Sequence, residues 1–242
     1  MHPGGPNPDK AVPLVFPGRA RVGNAAKDRG DEPTKSRTLR AAACVGLLAS
    51  VLLTAIFLML SGSLSGESDR LDVILQRRPA FLQVAAGLVP FAAIGFLWFM
   101  GAVRDRIGER EDRLFSTLLV GSGLLFLSGL FVLAAVTVGL VTASQAPAAA
   151  ASDPRLARFV RAAAYNIAHE YIVKTSIVFI IATSTLILRT GSAPRPFAFA
   201  GYTAAIGMLF GGYFSDYVFL AMPLWIALIS LHMLFERSGR QR

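Results

Sequence analysis

The chain has 242 residues, 54% of them hydrophobic and only 16% charged, with a formal net charge of +9. Soluble domains carry about a quarter of their residues charged, so an ordinary soluble globule is excluded. Apolar runs of about 20 residues recur without the alternation of barrel strands, so the expected fold class is all-α, a polytopic membrane bundle of six transmembrane helices.

Residues 1–38 are rich in Pro, Gly and charge and lack apolar periodicity. They are expected to form a disordered, basic cytoplasmic tail. The net charge suits a membrane better than nucleic acid. The basic groups sit at segment ends, and there is no soluble basic domain with interleaved aromatics. The expected partner is the lipid bilayer, not nucleic acid.

The first apolar segment spans 39–60. It is too long, and lies too far from the N-terminus, for an ordinary cleaved signal, so a retained anchor is expected. It holds the only cysteine, Cys44, so no intrachain disulfide can form. Ala42 and Ala43 precede the apolar core, which makes a poor lipoprotein cleavage site. A short polar loop follows, in which Leu71, Val73, Ile74 and Leu75 suit an interfacial turn.

The second segment spans 80–103. Pro90 predicts a kink, and Trp98 and Phe99 near its end have the character of interface anchors. Charges of both signs interleave from Arg104 to Arg113, the pattern of a solvated hairpin. The third segment spans 114–142. Its Gly121, Ser122, Gly123, Ser128 and Gly129 permit close helix approach.

The fourth segment spans 154–189. Asp153 and Pro154 form a start signal, and Gly191 with Pro194 forms a stop signal. The helix between would hold about 35 residues, roughly 50 Å at 1.5 Å per residue, more than the bilayer needs. The excess lies in an amphipathic first half. Arg155, Arg158, Arg161, Tyr165 and His169 share one face there, and Leu156, Phe159, Val160, Ala163, Ala164 and Ile167 share the other.

This segment carries the chemistry. Asn166, Glu170 and Lys174 follow one another at intervals of four, and Glu170 before Lys174 is the favourable order for an intrahelical ion pair. A charge at the centre of a bilayer costs about 2.5–3.5 kcal/mol. These residues, with His169 and Asp216, form the candidate polar patch. It is read either as a lining for a solute or ligand, or as a shallow ion pair whose lysine reaches outward to the headgroups.

The fifth segment spans 197–214. Thr203, Gly207 and Gly211 share a face, and Gly207 to Gly211 is a strict GxxxG, so this is the candidate packing face toward a helix of the bundle or of a second copy. The sixth segment spans 217–235 and contains Pro223, Trp225 and His232. A short cytoplasmic tail, 237–242, follows.

An even number of crossings puts both termini on one side. That side carries 17 Lys and Arg and the other 6, so both termini are expected in the cytoplasm of a cell-membrane protein. His169, Glu170, Lys174 and Asp216 then fall toward the exterior, and His232 toward the interior.

The run Phe96-Leu97-Trp98-Phe99-Met100-Gly101-Ala102-Val103-Arg104-Asp105-Arg106, followed by Gly108-Glu109-Arg110-Glu111-Asp112, resembles uncharacterised multi-pass membrane proteins of actinobacteria. The likeness covers about residues 80–143. That family has no assigned activity to carry over.

No phosphate-binding GxxxxGK[ST], dinucleotide GxGxxG, HExxH or CxxC occurs, so no catalytic residue, cofactor or metal is assigned. The leading expectation is a non-enzymatic membrane protein acting through partners or self-association. One alternative is a small-solute or ion transporter using Asn166, Glu170 and Lys174. Another is a membrane enzyme with an exterior site in which His169, Glu170 and Asp216 meet.

Overall fold

A computed structural model describes residues 41–60, 79–107, 113–145, 154–211 and 216–238. The expected tail at 1–38, the interfacial turn at 71–75, the charged hairpin centred on 108–112 and the last residues, 239–242, lie outside the described residues. All described residues fall within one compact unit, Leu39–Arg242.

The architecture is helical throughout. Helix α1 is Ala41–Leu60, α2 Pro79–Ile107 and α3 Arg113–Ser144. Helix α4, Pro154–Asn166, continues through a π turn at Ile167–Ile172 into α5, Val173–Thr190. Helix α6 is Arg195–Gly211. A 3₁₀ segment, Asp216–Leu220, leads into α7, Ala221–Ser238. Among the described residues, five stretches are long and apolar enough to cross a membrane: α1, Pro79–Asp105, Leu114–Ser144, Arg158–Thr190 and Tyr217–Phe235. Helix α6 has 17 residues and falls just short of that length.

The boundaries follow the local chemistry. Gly191 takes the left-handed conformation, φ 65°, and its N–H bonds to Ile187 O at 3.0 Å. That is the glycine helix stop the sequence announces, and it turns the chain sharply into α6. Helix α2 runs through Pro90 without interruption; in a bundle, neighbouring groups can satisfy the freed carbonyl.

Helix α5 is the centre of the bundle. It packs along α6 and α3 and also meets α2 and α7. Its buried residues follow helical spacing from Val173 to Ile187. Against them, Phe96 of α2 meets Phe126 of α3 at 5.4 Å and Phe179 of α5 at 5.2 Å between ring centroids. Tilted aromatic pairs of this kind add stabilisation beyond area burial. Phe96, Phe99, Phe126, Phe179 and Trp225 are all essentially fully buried, so aromatic rings fill the middle of the bundle.

Phe99 is therefore a core residue, and its expected role as an interface anchor is corrected. Consecutive helical residues point about 100° apart, so when Phe99 faces Gly46 of α1 its neighbour Trp98 faces outward, 60% exposed.

Between apolar helices in lipid there is little hydrophobic drive, so close contact and buried hydrogen bonds decide packing. Ser50 of α1 donates to Pro223 O of α7 at 2.8 Å. Trp225 Nε1 of α7 donates to Thr183 Oγ1 of α5 at 2.9 Å. Thr185 of α5 and Tyr202 of α6 share a bond of 2.7 Å. Two glycines allow close approaches between α1 and α7 and between α6 and its neighbours. A Cβ on Gly46 would collide with Ser230 Oγ and lie 2.8 Å from Phe99. One on Gly201 would collide with Ser184 Oγ and lie 2.5 Å from Trp225.

Gly123 and Gly129 meet Met100 and Ile172 closely, as expected of α3, whereas Gly121 has nothing within 4 Å of an added Cβ. On α6 the buried stripe is Ala198, Gly201, Ala205 and Met208. Thr203 and Gly207 lie on the outward side. An added Cβ on Gly207 would meet nothing within 4 Å, and one on Gly211 only Val218 at 3.9 Å. The GxxxG face is thus not what holds α6 in its own bundle.

Candidate functional site

The segment 154–189 is expected to be one α-helix. In the structure it changes winding at Ile167–Ile172, where the N–H of Val173 reaches Ala168 O, five residues back. The sequence contains a reason. Val160, Ala164, Ala168, Ile172 and Ser176 face the bundle, partly or wholly buried, at intervals of four. In a regular α-helix each such interval turns the face onward by about 40°. A wider turn takes out part of that drift and keeps Ala168 and Ile172 inward together. π turns are rare and frequently occur at functional sites.

The π turn carries His169 and Glu170. His169 is half-buried. Its ring stacks on Tyr165 at 4.0 Å between centroids and meets the edge of Phe219 at 4.9 Å. Its Nδ1 lies 3.2 Å from Tyr165 O. A carbonyl only accepts, so Nδ1 is the donor in this contact.

Glu170 and Lys174 form the expected ion pair, Lys174 Nζ donating to Glu170 Oε2. Both side chains are more than half exposed, at 53% and 61%. They stand on the outer surface of the bundle and do not line its axis.

Beside them is an open cleft of about 330 Å³, walled on one side by Tyr165, His169, Glu170, Val173, Lys174 and Ile177. The end of α6 supplies the other wall through Met208, Leu209 and Phe210. The rim is charged and aromatic, and the floor is aliphatic. Asn166 is exposed but does not line the cleft. Asp216 begins the 3₁₀ segment whose Phe219 touches His169; its own side chain lies outside the described residues. Among the described residues no three His, Cys, Asp or Glu side chains are grouped as a metal site.

Two parts of this site escape a reading of residue types. The interval of four was a signal for the π turn that periodicity counting passes over. The wall supplied by α6 had no local signal, because Met208, Leu209 and Phe210 are ordinary residues of an apolar helix.

At the other end of the bundle a second, much smaller cavity of about 30 Å³ lies among Thr183, Phe197, Ile229 and His232. It has room for a single water. His232 and His169 thus sit at opposite ends, as expected, and cannot share a ligand.

The fold and this site define a helical integral membrane protein. No family model matches the sequence, and neither curated proteins nor solved structures provide a match.

Proposed function

We propose that the protein is a non-enzymatic, six-span membrane protein that works by lateral association, presenting the Thr203–Gly207–Gly211 face of α6 to a second copy. One observation carries this. The strict GxxxG pair lies on the side of α6 away from its own bundle, with open space where Gly207 would carry a Cβ. Small-residue faces of this spacing let two helices approach closely in lipid, where close packing is the main source of attraction.

A disulfide crosslink between copies tests it. In a Cys44→Ser background, with cysteine at Thr203, oxidation of the membrane-embedded chain is expected to yield a covalent dimer. Gly207→Leu or Gly211→Leu should reduce that dimer severalfold, while each variant still melts like the parent. Unchanged crosslinking in both variants removes the basis for this face.

Six crossings are supported by where α6 makes its contacts. Its start, through Phe197, stacks near Trp225 at 5.9 Å and His232 at 5.1 Å. Its end, at Met208 to Phe210, borders the cleft beside His169. It therefore runs the same course as α5 in the opposite direction. Its 17 residues measure about 25 Å, slightly less than a bilayer's hydrocarbon, a mismatch that local thinning accommodates. An even count puts both termini on the cytoplasmic side of the cell membrane, which the excess of Lys and Arg there favours.

Single cysteines at residues 20 and 241, in the Cys44→Ser background, check this with a membrane-impermeant thiol reagent on intact cells. Both should stay unlabelled until the cells are opened. Labelling of one and not the other means an odd number of crossings.

The transport alternative has less support. Glu170 and Lys174 pair on the outside of the bundle, and the middle of the bundle is filled by aromatic rings.

A further inference from the structure

The cleft beside the π turn has an ordered chemistry along its length. Arg189 stands over the ring of Phe115 at 4.6 Å, one residue before the apolar span ends at Thr190, and a charge there suits a membrane boundary. From Thr190 to Lys174 the helix rises about 24 Å, and to Glu170 about 30 Å, close to the thickness of the hydrocarbon. With Thr190 at one boundary, Lys174 falls just inside the other and Glu170 at it. Val173, Ile177 and Leu209 line the cleft with them, and Ile177 is the deepest of the α5 lining residues.

Read outward along α5 from the middle of the membrane, the lining is aliphatic at Ile177, cationic at Lys174, anionic at Glu170 with Val173 between the two charges, then aromatic at Tyr165. A zwitterionic phospholipid of the ethanolamine type has the complementary order: acyl chain, phosphate, then ammonium. An exposed ion pair at this helical spacing is weak, so each partner is readily shared with a ligand charge. Charge-assisted hydrogen bonds to phosphate and ammonium are stronger than neutral ones. The cleft, at about 330 Å³, holds on the order of ten water volumes. That is room for a phosphoethanolamine group with the start of a chain.

We propose that this cleft seats one phosphatidylethanolamine-type lipid of the leaflet opposite the termini, with its phosphate on Lys174, its ammonium on Glu170 and an acyl chain along Ile177 and Leu209. The proposal depends on the membrane class of the protein and not on self-association, so the Gly207→Leu variant binds the lipid like the parent.

Native mass spectrometry of the full chain in mild detergent tests it by titration with dioleoyl-phosphatidylethanolamine. One lipid per chain is expected. Dioleoylglycerol has the chains without the headgroup, and glycerophosphoethanolamine has the headgroup without the chains. Both should bind at least about tenfold more weakly, as should the parent lipid to Glu170→Gln or Lys174→Gln. Leu209→Trp, which crowds the α6 wall of the cleft and leaves both charges, should weaken binding as well.

Equal binding of the lipid to all three variants overturns the site. Equal binding of dioleoylglycerol means that the charges take no part. Equal binding of glycerophosphoethanolamine means that a free headgroup is sufficient. Equal binding of phosphatidylglycerol overturns the role given to Glu170. Glu170 and Lys174 are exposed, so their variants fold, and an unchanged melting curve for each confirms that a loss of binding is local.

Discussion

Gly201→Val is expected to release α6 from the bundle. The new Cβ would collide with Ser184 Oγ and lie 2.5 Å and 2.8 Å from two atoms of the Trp225 ring. Neither neighbour has room to yield. Ser184 is fully buried and its hydroxyl donates to Ile180 O at 2.6 Å. The Trp225 ring is held by its bond to Thr183 at 2.9 Å. Overpacking of a dense core costs about 1–3 kcal/mol and sometimes more, and with two immovable neighbours the upper end is expected.

Gly207→Val on the same helix is the internal comparison. Its Cβ meets nothing within 4 Å, so a change within about 0.5 kcal/mol is expected, as for ordinary surface positions. Reversible unfolding of both variants in one detergent, followed by far-ultraviolet circular dichroism and Trp fluorescence, separates them. Equal stabilities would mean that α6 does not sit on Trp225 as described.

Trp225→Ala should cost about as much or more. The ring is essentially fully buried and joins three helices: α7, which carries it, α5 through Thr183, and α6 through Phe197 and Gly201. Removing a buried Trp costs about 3–5 kcal/mol, the spread reflecting how far the site collapses.

Trp225→Phe divides the effect. It keeps most of the apolar volume and loses the Nε1 hydrogen bond, which between membrane helices is worth about 0.6–1.7 kcal/mol. Thr183 still bonds to Phe179 O and Ile180 O, each at 2.9 Å, so its hydroxyl is not stranded. The expected order is parent, then Phe, then Ala. A Phe variant as unstable as Ala would put the hydrogen bond, not the volume, at the centre of the junction.

The helical class and most helix ends were legible because both are local. Long apolar runs require helices in lipid, since every backbone group must find its partner within the segment. Pro154 and Gly191 act within one turn of where they stand, and both helix ends fall there. The Glu170–Lys174 pair was legible for the same reason: helical geometry brings positions four apart together.

Depth within the bundle was not legible. Trp98 and Phe99 are adjacent aromatics with the same local signal, yet one faces outward and the other lies among Phe96 and its partners. The facing of a residue depends on how its helix is rotated against the neighbours. Gly201 and Gly207 show the same limit. The conspicuous GxxxG motif faces away from the bundle, and the inconspicuous Gly201 takes the closest contact with Trp225.

By itself the sequence determined the helical membrane class, the two ends of the central helix and its ion pair. Each depends on interactions within a few residues along the chain. The tertiary structure decided the rotation of each helix, the π turn that keeps Ala168 and Ile172 inward, and the cleft that α6 completes beside Glu170 and Lys174. Those depend on surfaces far apart in the chain, whose mutual fit no single segment encodes.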